Sequence, residues 1–132
     1  MGETSSEAAT RGIRVVAESR YEAERSAPVQ GHYHFSYRIR IENRGERAAT
    51  LLSRRWVVTN DRGEIQQIEG PGVVGETPTL EPGQAFEYES FCLLETPVGI
   101  MEGHYVMELV DDGERFEARI APFTLAVPGT VN

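Results

Sequence analysis

Few residues in this chain advertise chemistry, and several absences narrow its class. There is a single cysteine, Cys92; an internal disulfide is excluded and a reducing compartment is expected. No apolar run approaches the roughly 20 residues of a membrane-spanning helix, and residues 1–11 lack the apolar stretch of a signal peptide. Together these absences predict a cytoplasmic protein with no membrane partner. Positive charge is in deficit, with a net charge of −8. A chain so acidic repels phosphate backbones at long range, so nucleic acid is not an expected partner. No segment long enough for a core helix keeps an apolar period of about 3.6 residues. No P-loop, zinc-site spacing or Ser-His-Asp order occurs, so neither enzyme activity nor a cofactor is expected. Cys92 has no nucleophile context and reads as a structural thiol. Glu95, Glu102, Glu108, Asp111 and Asp112 read as solvated turn and strand carboxylates.

What is present is an ordinary globular balance, 39% hydrophobic and 26% charged over 132 positions, which suits one domain with a sizeable core. The dominant period is two. In residues 32–42 the odd positions are Tyr33, Phe35, Tyr37, Ile39 and Ile41, and the even ones are His32, His34, Ser36, Arg38, Arg40 and Glu42. A strand sends successive side chains to opposite faces, so this segment is a strand with one wet side. Ile13, Val15 and Ala17 begin a similar strand, and Trp56 and Val58 mark a third. Phe86 and Tyr88 mark a fourth; Tyr105, Met107 and Leu109 a fifth; Phe116, Ala118 and Ile120 a sixth; Phe123, Leu125 and Val127 a seventh. Turn residues separate them, among them Asn43-Arg44-Gly45-Glu46, Asn60-Asp61-Arg62-Gly63, Pro82-Gly83 and Asp112-Gly113. The expected fold is all-β, a sandwich of about seven or more antiparallel strands. Residues 12–127 form its single domain and residues 128–132 a C-terminal tail. Residues 1–11 read as a flexible N-terminal tail, because Glu3-Thr4-Ser5-Ser6-Glu7-Ala8-Ala9 carries no apolar stripe to dock it.

The long irregular stretch, residues 69–84, contains Gly70-Pro71-Gly72-Val73-Val74-Gly75. The glycine spacing copies a dinucleotide fingerprint, but that motif opens a helix whose N–H groups hold pyrophosphate. Here Glu76-Thr77-Pro78 follows, and no βαβ unit surrounds it. Two readings stay open: glycines that permit tight backbone in a folded loop, or successive N–H groups forming an anion nest. Val73 and Val74 pack or form a short strand. Arg54 and Arg55 are adjacent in a strand and face opposite ways. One of them could approach the loop and grip an anion, or both are surface charges paired with glutamates. His32 and His34 share a strand face and are weak candidates for a metal, with His104 or a glutamate needed to complete the set. Exposed histidines are the simpler reading.

Several separated blocks resemble the ApaG family: Leu51-Leu52-Ser53-Arg54-Arg55-Trp56, then Gly70 through Pro78, Leu80-Glu81-Pro82-Gly83, Phe86-Glu87-Tyr88-Glu89-Ser90, and Thr96 through Tyr105. The match covers most of residues 12–127. The resemblance implies an immunoglobulin-like, fibronectin-III-like sandwich with no established enzymatic activity. It also implies bacterial relatives linked to cobalt tolerance and magnesium efflux, whose gene often neighbours one for a diadenosine-tetraphosphate hydrolase. The same domain occurs in eukaryotic F-box proteins and a polymerase-interacting protein, where it serves protein contacts. One departure is Phe91, where many relatives have glycine. The functional expectation is a non-enzymatic binding module that contacts a protein through residues 70–75 and an adjacent sheet face. The alternatives are nucleotide or pyrophosphate binding at that loop with Arg54 or Arg55, and divalent-metal binding at His32 and His34. Exposed sheet edges also allow a homodimer.

Overall fold

Segments of period-two sequence separated by tight turns stack as two sheets in the computed structural model, which describes residues 3–130. The strands in chain order are β1 (Glu3–Thr10), β2 (Ile13–Tyr21), β3 (Tyr33–Asn43), β4 (Ala49–Asn60), β5 (Ile65–Pro71), β6 (Thr79–Leu80), β7 (Ala85–Leu94), β8 (Val98–Leu109) and β9 (Arg115–Ala126). One antiparallel sheet has the order β1-β2-β3-β7. The other runs β5-β4-β8-β9, with the short β6 also paired to β4. This is the all-β sandwich that the alternation predicts. Two single 3₁₀ turns, Ala23–Arg25 and Pro28–Gln30, lie between β2 and β3.

The buried faces meet around Trp56. Its ring lies edge-on to Tyr37 at 5.3 Å, Phe123 at 6.0 Å and Tyr105 at 6.5 Å, arrangements that suit the aromatic quadrupole. Two bulges set which residues reach this core. In β4 the pairing with β8 shifts between Leu51 and Ser53, so Leu52 is the extra residue. Ala49 and Leu51 face inward before it, and Trp56 and Val58 after it. In β9 the partners of Met101 and Gly103 are Phe123 and Ile120. The phase break at Ala121 and Pro122 is thus a bulge, and the two runs expected as separate strands are one, β9. An extra residue inverts the inward phase without ending the ladder, and proline fits where ladder bonding is interrupted.

Within the segment expected as an N-terminal tail, residues 3–10 are instead β1, paired with β2 from Glu3↔Arg20 to Thr10↔Ile13; residues 1 and 2 of that segment, and 131 and 132 of the expected C-terminal tail, lie outside the described residues. Its inward residues, Thr4, Ser6, Ala8 and Thr10, are small and mostly polar, so it has no apolar stripe to read, yet it docks by hydrogen bonds. Ser6 Oγ donates to the Ala121 carbonyl of β9 at 2.8 Å. Ser19 Oγ donates to the Thr124 carbonyl at 2.7 Å, and Thr4 Oγ1 bonds the same carbonyl. Thr10 Oγ1 accepts from the Arg119 N–H at 3.1 Å. The β1 and β9 edges are therefore stitched together, each hydroxyl filling a backbone valence that an open edge would leave to water.

Outside, the first sheet carries a ladder of charge: Glu7, Arg14, Glu42, Arg40 and Glu87 are linked in that order across all four strands. The Arg40 hydrogen bond, helped by Arg14 and Arg44, holds the Glu42 carboxyl down to about 2.

Ser6→Ala should cost about 1 kcal/mol in urea unfolding, since it strips one bond from the β1–β9 seam; an unchanged midpoint would mean that this bond contributes nothing. Glu42 generates a pH prediction. Its folded value lies below its unfolded one, so its contribution is present above about pH 4.5 and fades as pH falls toward about 2. Glu42→Gln should flatten the acid fall in stability, read as the difference between unfolding midpoints at about pH 5 and about pH 3.

Candidate functional site

The glycine-rich stretch folds as a tight, hydrogen-bonded hairpin tip at the end of β5. The Gly72 N–H donates to the carbonyl of Leu52, the bulged residue, at 2.8 Å. Val73 and Glu76 exchange both backbone hydrogen bonds at 2.8 Å. Between them Val74 has φ of +42° and Gly75 has φ of +82°, the handedness of a type I′ turn. Val73 is fully buried, whereas Val74 is 53% exposed. A Cβ on Gly72 would lie 2.2 Å from the Glu76 carbonyl oxygen, and one on Gly70 would lie 2.9 Å from Arg54 Nη1. Backbone approach and a φ of +57° require the glycine at 72, whereas at 70 the near neighbour is the movable end of an arginine side chain.

Arg54 and the loop, paired in the sequence reading, do meet. The bulge at Leu52 turns Arg54 to the inner face, and its Nη1 donates to the carbonyls of Pro71 at 3.1 Å and Gly72 at 3.0 Å. The guanidinium thus fastens the loop. Arg55 faces the other way and bonds Gln67 Oε1 at 2.9 Å, with Glu69 at 3.7 Å. The N–H groups of Gly72, Val73 and Glu76 are bonded to backbone carbonyls and do not face outward for an anion.

The histidines stand apart. His34 lies on the outer face of β3 opposite Leu93. His32 precedes β3 in a bridge with Ala27, and His104 lies in the other sheet beside Glu117 at 3.4 Å. Among the described residues no three His, Cys, Asp or Glu side chains gather as a metal set.

A groove lies elsewhere. β5 ends one sheet and β7 ends the other, and a groove of about 630 Å³ runs between them. Tyr37, Val58, Ile68, Cys92 and Met101 line its inner part. Its rim carries Ile65, Phe91 and Leu93, which are 63%, 49% and 48% exposed. At one end Arg62 bonds both Glu64 and Glu95. Burial pushes the Cys92 thiol up to about 11, consistent with the expected structural thiol rather than a nucleophile. Phe91, the departure noted in the sequence, projects from the outer face of β7, with the Arg25 guanidinium 4.8 Å from its ring centre. The groove was missed because neither wall is a motif. Its trace in the sequence is the run Phe91-Cys92-Leu93-Leu94, apolar in both phases at the end of a strand whose outer face is otherwise charged.

A two-sheet sandwich carrying an arginine-fastened hairpin tip and one open side defines the class. Residues 23–109 match the ApaG domain, and the chain belongs to the ApaG family. It is 52% identical over 127 residues to Protein ApaG of Anaeromyxobacter dehalogenans (strain 2CP-1 / ATCC BAA-258), covering 96% of this chain and 99% of that one. Protein ApaG of Ectopseudomonas mendocina (strain ymp) is 48% identical over 120 residues, with coverage of 91% and 94%. Among solved structures, an ApaA protein from Bordetella pertussis superposes with a TM-score of 0.86 at 43% identity, covering 89% of this chain and 95% of that one.

Val74 supplies a prediction. A β-branched residue at positive φ is strained, and a type I′ turn favours Asn followed by Gly. Val74→Asn should therefore raise stability by about 0.5–1 kcal/mol, seen as a higher urea midpoint; a lower midpoint would show that the exposed valine packs favourably where it stands.

Proposed function

We propose that this ApaG domain, a sandwich of the immunoglobulin-like kind, is a non-enzymatic module that binds another protein in the cytoplasm. One observation carries the reading: Ile65, Phe91 and Leu93 are exposed together along the open side of the sandwich. Exposed apolar side chains that share a patch with polar neighbours mark interaction surfaces. The hairpin tip belongs to the same reading, because its fixed backbone holds Val74 outward at the end of β5. Rigid presentation lowers the ordering cost of binding. The cobalt-tolerance and magnesium-efflux links implied by the resemblance then act through a partner protein, with no metal held on this chain.

The test is capture from a bacterial lysate by the tagged chain, run beside Phe91→Asp and Val74→Asn. Phe91 is half exposed, so an aspartate there should leave folding intact while placing a charge in an apolar contact. Expected is loss of the captured protein with Phe91→Asp, and weaker capture with Val74→Asn if the tip takes part. Equal capture by all three chains would remove the open side from consideration.

A further inference from the structure

We propose that the groove between β5 and β7 receives an extended segment of a partner protein as an added strand, apolar on both its faces and basic at the end that meets Glu64 and Glu95. This rests on the binding-module reading and names the ligand for it.

The backbone argument comes first. β5 and β7 are the terminal strands of their sheets, and the groove lies directly between them. A terminal strand leaves a row of N–H and C=O groups without strand partners, and an extended peptide satisfies them. β5 is seven residues long; at about 3.3 Å per residue that edge accepts a segment of roughly six or seven residues.

The side chains define what the segment carries. At this end β7 turns Phe91 and Leu93 to its outer face and Cys92 and Leu94 to its inner face. A strand laid beside it sends successive side chains to the same two faces. Both of its faces would therefore meet apolar atoms, and neither position set favours charge. The charge argument fixes the end. Glu64 and Glu95 are the charged residues lining the groove, and both are bonded to one cation, Arg62. That trio has one carboxylate in excess, which a basic residue on the incoming segment balances. The chain's net charge of −8 adds long-range attraction for a cationic segment. A second copy of this chain is a poorer occupant. It brings the same net charge, and pairing β7 with β7 sets Glu87 and Glu89 along a junction with their own copies.

The probe is the synthetic peptide acetyl-Arg-Val-Thr-Val-Leu-Val-amide, titrated into the isotope-labelled full chain and followed by amide NMR shifts. Cys92 reports independently, since its alkylation by iodoacetamide should slow when a strand covers the groove. Expected are shifts concentrated on β5 and β7, with Cys92 protected in proportion to occupancy. N-methylation of alternate peptide amides removes backbone donors while keeping side chains, and should weaken binding by about tenfold or more. Exchanging the peptide's arginine for glutamate should weaken it several-fold. Phe91→Asp should weaken it likewise while its urea midpoint stays near that of the parent chain.

Absence of shifts at millimolar peptide overturns the proposal. So does binding indifferent to N-methylation, or shifts confined to residues 72–76. If the peptide is silent while lysate capture still depends on Phe91, the strand proposal fails and the binding-module reading stands; if neither is seen, both fail. A chain that sediments as a dimer, becomes monomeric with Phe91→Asp and is not dissociated by the peptide would assign the groove to a second copy and overturn the proposal.

Discussion

The hydroxyls of Ser6, Ser19 and Thr4, bonded to the Ala121 and Thr124 carbonyls of β9, hold one side of this sandwich shut. Much else follows from that seam. Two stacked sheets have two pairs of facing edges, and strand twist makes the layers diverge unless something ties them. Small side chains on β1 allow its backbone to approach β9, and their oxygens supply partners for edge carbonyls at that distance. Across the fold, no comparable bond joins β5 to β7 among the described residues, and the groove lies between them. Closure and opening are thus two ends of the same geometry. The inner faces of β3 and β4, packed through Tyr37 and Trp56 at 5.3 Å, lie between those ends.

The second organising device is phase. A single extra residue at Leu52 reverses which side of β4 faces inward. Without it, Trp56 would point to solvent and Arg55, not Arg54, would lie beneath the hairpin. The Leu52 carbonyl also accepts from Gly72, so the same bulge positions the arginine and anchors the loop that the arginine fastens. Gly70 leaves room for the guanidinium, and Gly72 leaves room for the Glu76 carbonyl. Of the glycines that look like a nucleotide motif, Gly72 is accounted for by packing against backbone and Gly75 by its turn conformation, with φ of +82° and no neighbour within 4 Å of an added Cβ.

The fold was largely legible because its signal is local. Alternation in β2, β3, β7 and β8 can be read from any short window, and the turns carry Gly, Asn, Asp or Pro where the backbone needs them. Three features were not legible in this way. β1 docks by hydroxyl-to-carbonyl bonds, which leave no apolar period. The break at Ala121 and Pro122 imitates a turn, and only the pairing of β8 with β9 shows a bulge. The open groove belongs to two strands far apart in sequence, so no window contains both walls. Of the site residues, Arg54 and the glycines were found because they cluster with recognisable neighbours. Phe91 was visible only as a departure from the family pattern, and Ile65 and Leu93 had no pattern around them.

An open apolar side on a β protein invites aggregation, so the local charges bear on how the chain stays apart from itself. The chain's cations are all arginine, and several of them each bridge two carboxylates: Arg14, Arg40, Arg47 and Arg62. A planar fork suits such double contacts better than a point charge. Acids still outnumber cations, 21 to 13, and the β7 edge carries Glu87 and Glu89. Inward and edge charges of one sign are a known guard against edge-to-edge pairing. Arg25 adds a cover over Phe91, a cation–π contact that shields part of the ring yet is weak enough at an exposed site to be displaced. On the proposed reading, charge rather than burial of the groove would oppose self-association and leave the surface open to a partner of opposite charge. In the proposed reading, Glu87 and Glu89 on β7 disfavour a second copy, whereas Glu64 and Glu95 at the groove's end select the ligand.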